Sequence, residues 1–311
     1  MSSQLEGDLF RFYVENSLKA THLLPILFMF VALIPRMVLA QEDRKELIER
    51  GQYIFGVAGG CACHTVPKGI PHAGGRAFPI PFGTVYATNI TPDKETGIGS
   101  WSDKDIIRAM TTGVRPNGEW ILPIMPHEAY SGIAEEDIKA LITYLRTLKP
   151  VRKETPRLKT WVPFYRSLLT PLWLKFFGRF STPPREAPKD GIPRGQYLTD
   201  HVSLCGDCHT PRNFLGVLKR GLYLAGSRTG LLGEESPNIT PDNETGLGKW
   251  SREEIAHLTL TGFKPNLDNV QGLMEEVIEG VSVGYKNMTR QDALAVADYL
   301  KSIRPIVNKV K

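Results

Sequence analysis

Every cysteine in the chain sits in one local context. The four are Cys61, Cys63, Cys205 and Cys208, and a histidine follows each pair at once, His64 and His209. Cys205-Gly206-Asp207-Cys208-His209 is the C-x-x-C-H arrangement. It suits covalent haem: two thiols add to the two vinyl groups, and the adjacent imidazole is held beneath the iron as its proximal ligand. The pairs stand about 145 residues apart, so a disulfide scaffold does not account for them. A zinc site or a redox dithiol explains a cysteine pair but not the histidine that follows it. The earlier pair, Cys61-Ala62-Cys63-His64, is one residue short.

An internal repeat gives that irregular copy its weight. Asn89-Ile90-Thr91-Pro92-Asp93 returns as Asn238-Ile239-Thr240-Pro241-Asp242, and Trp101-Ser102 as Trp250-Ser251, both at an offset of 149. Arg50-Gly51-Gln52-Tyr53 returns as Arg194-Gly195-Gln196-Tyr197 at 144, and Tyr144-Leu145 as Tyr299-Leu300 at 155. Cys61 and Cys205 both lie eight residues past the repeated tyrosine, while Cys63 and Cys208 align from the histidines. The missing residue therefore lies between the first two cysteines. Methionine opposite histidine makes a high-potential haem. Met125 and Met274 keep the 149 offset and are the candidate axial ligands. Met110 and Met288 have no matched methionine and are expected in the core. His127, two residues from Met125, is a rival ligand, but Glu276 stands at its place in the second copy. His72, His201 and His257 show no partner pattern, and each proximal imidazole is expected to bond a backbone carbonyl near Pro67 or Pro211.

The elements that position these residues read as helices. One ends near each first cysteine. A capping box begins another at Ser102 (with Asp105) and at Ser251 (with Glu254). Closing helices carry the stripes Ile138, Leu141, Ile142, Leu145 and Val296, Tyr299, Leu300, Ile303. No period-2 strand pattern stands out. The expectation is an all-α protein of two tandem domains, 41–150 and 187–311, joined by a linker at 151–186. The linker holds eight basic residues and two acids, with Trp161, Phe164, Tyr165, Trp173, Phe176, Phe177 and Phe180. Large aromatics usually bury their area, which favours a linker packed across both domains. The other reading is a docking surface for a membrane or a partner subunit.

Residues 1–40 read as a signal peptide. Arg11 and Lys19 precede an apolar run from Leu23 to Pro35, and Val38-Leu39-Ala40 suits cleavage after Ala40. The run is shorter than the roughly 20 residues a spanning helix needs. A periplasmic location, with membrane association left open, follows as the expectation. The net charge of +5 is modest, and no nucleic-acid-binding motif is present, so no nucleic-acid partner is expected.

The run Cys205–Arg212, the twin Asn-Ile-Thr-Pro-Asp segments, Met125-Pro126 and the aromatic linker before Arg194-Gly195 carry a resemblance. On them the chain resembles the two-domain, di-haem members of the class I cytochrome c superfamily, and among these the cytochrome c subunits of periplasmic alcohol and gluconate dehydrogenases. The resemblance implies an all-helical fold and two covalently bound haem c groups. It also implies a relay of electrons, not a catalytic turnover, between a dehydrogenase large subunit and a downstream oxidase, quinone or cytochrome. Two departures stand out: many of those subunits carry a third haem domain, and the first motif here is shortened, which bears on the Cys61 thioether. The alternative is a di-haem peroxidase-type enzyme, which needs one displaceable distal ligand where the sequence offers methionine to both irons.

Overall fold

The computed structural model describes residues 41–310; the expected signal peptide and its cleavage point lie outside the described residues. Residues 41–47 are helical and belong to one unit of the chain; Ile48 to Lys311 form a second, compact unit. In that second unit, α1 covers residues 48–57 and runs into a kinked turn, Gly59–His64. Then come α2 (Asp103–Thr112), α3 (His127–Tyr130), α4 (Glu135–Leu145) and α5 (Thr170–Phe177). The later part holds α6 (Gly191–Tyr197), α7 (Cys205–His209), α8 (Arg252–Thr261), α9 (Leu273–Glu279) and α10 (Arg290–Ser302). The fold is mostly helical, as expected.

The capping boxes form as read: the Ser102 and Ser251 hydroxyls accept from the backbone N–H of Asp105 and Glu254, and each acid reaches back to its serine. The stripe on α4 is fully buried; Val296, Tyr299 and Leu300 of α10 are buried and Ile303 is partly so. Met288 is buried and Met110 packs against the core.

Beside the helices lies a small sheet that no period-2 pattern signals. Three short antiparallel strands are present: β1 (Ala77–Ile80), β2 (Gly83–Tyr86) and β3 (Lys159–Thr160), in the order β1-β2-β3. Phe78 pairs Val85, and Thr84 pairs Lys159. Four residues broken by Pro79 or opened by Gly83 are too few for a period-2 signal, and within β1 Phe78 alone is buried. Pairing with β3 fastens the start of the aromatic stretch to the loop that follows the first cysteine pair.

The repeated Arg-Gly-Gln-Tyr is explained residue by residue. Gly51 and Gly195 let α1 and α6 touch the closing helices: a Cβ would lie 2.0 Å from the Ala140 carbonyl oxygen and 1.9 Å from that of Ala295. Arg50 pairs with Asp137 (2.6 Å) on α4, and Arg194 with Asp292 (2.7 Å) on α10. The tyrosines cross over. Tyr53 of the first copy donates to Asp292 of the second (2.5 Å), and Tyr197 of the second donates to Asp137 of the first (2.6 Å). The backbone N–H groups of Thr289 and Ala134 complete the pattern by donating to these two hydroxyls. The two copies are thus joined by a pseudo-two-fold set of hydrogen bonds inside one compact unit.

Candidate haem centres

The second cysteine pair lies on α7, where residues three apart share a face. The chain enters it through Leu204, whose φ of 57° is left-handed. Gly60 matches Leu204 in the repeat and is also left-handed, at φ 59°. A second left-handed residue follows it, Cys61 itself, at φ 49° and ψ 40°. The one-residue deletion is therefore absorbed at Cys61, in a conformation that non-glycine residues seldom adopt. Gly60 is also pinned by space, since a Cβ would stand 2.1 Å from the Val283 carbonyl oxygen.

Both imidazoles are aimed by a backbone carbonyl. The Nδ1–H of His64 donates to Thr88 (2.8 Å) and that of His209 to Pro237 (2.8 Å). The expected partners near Pro67 and Pro211 are not used. The acceptors lie 24 and 28 residues beyond the histidines, immediately before each Asn-Ile-Thr-Pro-Asp segment. That segment is the scaffold. Asn89 Oδ1 accepts from the backbone and hydroxyl of Thr91, while its amide donates to the Val151 carbonyl (2.7 Å). Asn238 does the same with Thr240 and the Ile306 carbonyl (2.7 Å). With Nδ1 protonated, Nε2 of each ring is left as the acceptor that an iron ligand must be. Burial holds both imidazoles below the usual histidine range and so favours this neutral form, with the carbonyl bond acting in the opposite direction.

All four thiols are free and half-buried. Burial pushes Cys61, Cys205 and Cys208 up to about 12 and raises Cys63, against which the positive charge of Arg76 acts. Burial thus favours the neutral form of each thiol. Among the described residues no three His, Cys, Asp or Glu side chains converge on a metal-binding point. Paired thiols beside a neutral, oriented imidazole do suit covalent haem.

Met125 lies in the turn before α3, partly buried against the core, and Met274 is the second residue of α9. Both ring nitrogens of His127 are engaged by backbone carbonyls. Its ring is almost fully buried, with Nδ1 and Nε2 facing the carbonyls of Met110 (3.2 Å) and Ile121 (3.3 Å). His201 ties the copies together: its Nδ1 faces the Ala129 carbonyl at 2.8 Å.

The structure adds residues to which the motifs gave no pointer. The α9 helix, which carries Met274, packs on the Gly59–His64 turn of the other copy, and α3 packs on the π-helical turn Leu198–Val202 ahead of the second pair. Asp207, inside the second attachment segment, pairs with Arg212 (2.6 Å), and Arg76, beside the first, pairs with Glu276. Tyr130 and Tyr285 are buried near the two cysteine pairs, and Tyr285 donates to the Ser203 carbonyl (2.7 Å). They share the 155 offset of Tyr144 and Tyr299, which is the signal that could have found them.

No family model matches the chain. Among curated proteins it is 37% identical over 262 residues to the fructose dehydrogenase cytochrome subunit of Gluconobacter japonicus, covering 82% of this chain and 52% of that one. It is 34% identical over 293 residues to the gluconate 2-dehydrogenase cytochrome c subunit of Pantoea cypripedii, covering 89% and 64%. The chain thus spans between half and two thirds of the length of these two relatives. It is 33% identical over 265 residues to a diheme cytochrome c-type protein of Cereibacter sphaeroides, and here 83% of this chain matches 86% of the relative. Near-full coverage of both partners, joined to the two Cys/His segments with their oriented imidazoles, places the chain in the family of diheme c-type cytochromes, which are haem proteins of electron transfer.

Proposed function

We propose that the chain binds two haem c groups, one in each of two tandem cytochrome c domains, 41–150 and 187–311. In this reading it passes electrons from a dehydrogenase large subunit to a downstream oxidase, quinone or cytochrome. The observation that carries this reading is the duplicated imidazole–carbonyl bond, His64 to Thr88 and His209 to Pro237, beside a cysteine pair in each copy. Haem c supplies a one-electron iron couple when bound. The chain's own residues would attach the second group through Cys205 and Cys208 and the first mainly through Cys63, with Cys61 beside it, hold His64 and His209 in one tautomer, and offer Met125 and Met274 on the far side. The relatives' names support a dehydrogenase as electron donor. Residues 1–40 act as the export signal to the periplasm, and residues 151–186 form the linker.

The linker is also the candidate docking surface. Trp161 (81% exposed), Phe164 (71%) and Phe176 (72%) project outward, and no acid occurs between Trp161 and Arg185. Exposed aromatics flanked by Arg and Lys suit an anionic membrane surface or a partner's apolar face. Among the described residues no helix is long and apolar enough to cross a membrane.

Substitution of the methionines tests the relay. Met125→Ala and Met274→Ala should each lower the potential of one haem and leave the other near its original value, read by spectroelectrochemistry. Unchanged potentials in both variants would reject the axial assignment.

A further inference from the structure

Arg76 breaks the symmetry of the two copies. Gly74 and Gly226 donate equivalent backbone hydrogen bonds to the carbonyls of His64 (2.8 Å) and His209 (2.7 Å). Counting two residues on from each puts Arg76 opposite Arg228. Arg228 is exposed and reaches the Lys309 carbonyl at 3.5 Å. Arg76 turns inward instead, with its side chain 8% exposed. One guanidinium N–H lies 3.5 Å from the carbonyl of Ala62, the residue between the two cysteines of the shortened motif. The guanidinium also grips both carboxylate oxygens of Glu276 on α9, two residues beyond Met274. Among the charges around the Cys63 thiol, that of Arg76 has the largest influence.

We propose that Arg76 is the tuning charge of the first haem: its guanidinium, held against the shortened attachment turn by Glu276, raises the potential of that haem and so sets it apart from the second. The inference rests on the di-haem reading above. Reduction adds one negative charge at the iron. A buried cation beside the attachment turn stabilises the reduced form through a medium of low dielectric constant. The carboxylate of Glu276 opposes this, but it is 38% exposed and better screened by water. Arg228, out in solvent, gives the second haem no such field.

Redox titration of the full-length holoprotein tests the proposal, with haem counted in each sample by its alkaline pyridine spectrum. Arg76→Met should shift one of the two haem potentials downward and leave the other in place. Arg76→Lys should restore much of the shift, and Glu276→Gln should move the same haem upward. If Arg76→Met fails to retain haem, Glu276→Gln decides alone. Two haems whose potentials stay put, or shift together, in these variants would overturn the tuning role while leaving the di-haem reading intact. A chain holding fewer than two haems would overturn both.

Discussion

At the scale of single residues, the shortened motif makes the sharpest demand. On α7 the two cysteines are three apart and share a face, so both thiols can reach one haem edge. In the first copy they are two apart, and the deletion has forced Cys61 into the left-handed region while Cys63 keeps its place beside His64. Cys63→Ser should therefore lose covalent haem from the first site and Cys61→Ser should keep it, as read by haem staining with mass spectrometry of the tryptic peptides. Two thioethers on the wild-type peptide would show that the compressed turn still spans both vinyl groups. The cysteine pairs and the histidines beside them are legible because the C-x-x-C-H pattern is written in consecutive residues. The carbonyls that aim the histidines are not, because Thr88 and Pro237 reach the rings only through a fold that closes loops of more than twenty residues. The twin Asn-Ile-Thr-Pro-Asp segments were visible as a repeat. Their role as the scaffold of those carbonyls needed coordinates.

At the scale of elements, the sequence announced what is governed by short-range rules. The capping boxes and closing-helix stripes fall where period and capping chemistry put them. The strands leave no sequence signal, because four residues with one buried side chain carry no periodicity. The aromatic stretch was harder to read, since large aromatics ordinarily bury their surface. On α5 the inward-facing positions are taken by Thr170 and Leu174, which leaves Leu172 and Phe176 outside. The helix is held at one point by the indole of Trp173, which donates to the Leu215 carbonyl (2.8 Å), and the turn before it by Arg166 with Glu119 (2.8 Å). Charge reversal at Arg166, Lys175 and Arg179 should weaken binding to anionic vesicles and to a cognate dehydrogenase. It should also flatten the salt dependence while haem content stays the same. Binding unaltered in both assays would return the stretch to a packing role.

At the scale of the whole molecule, the two copies share one compact unit from Ile48 onward, joined by the crossed tyrosines, and should unfold together. Burial and then Asp292 hold the Tyr53 hydroxyl up to about 12, so it stays a donor across the working range. Removing one partner from the buried Arg194–Asp292 pair strands the other charge. Arg194→Ala should cost about 3–5 kcal/mol, seen as a lower denaturant midpoint in a single transition. Two separated transitions in the wild-type holoprotein would contradict this joint unfolding. The repeat itself was plain in the sequence; that its tyrosines cross between copies was not, because an offset reports equivalence and never contact.

In this reading one chain carries two haems and two exchangeable electrons. Its most direct measurement is a stoichiometric reductive titration of the purified holoprotein, with covalent haem quantified on the same sample. Two haems and two electron equivalents per polypeptide are expected. One haem and one electron equivalent, with the Cys61–His64 peptide unmodified, would contradict it.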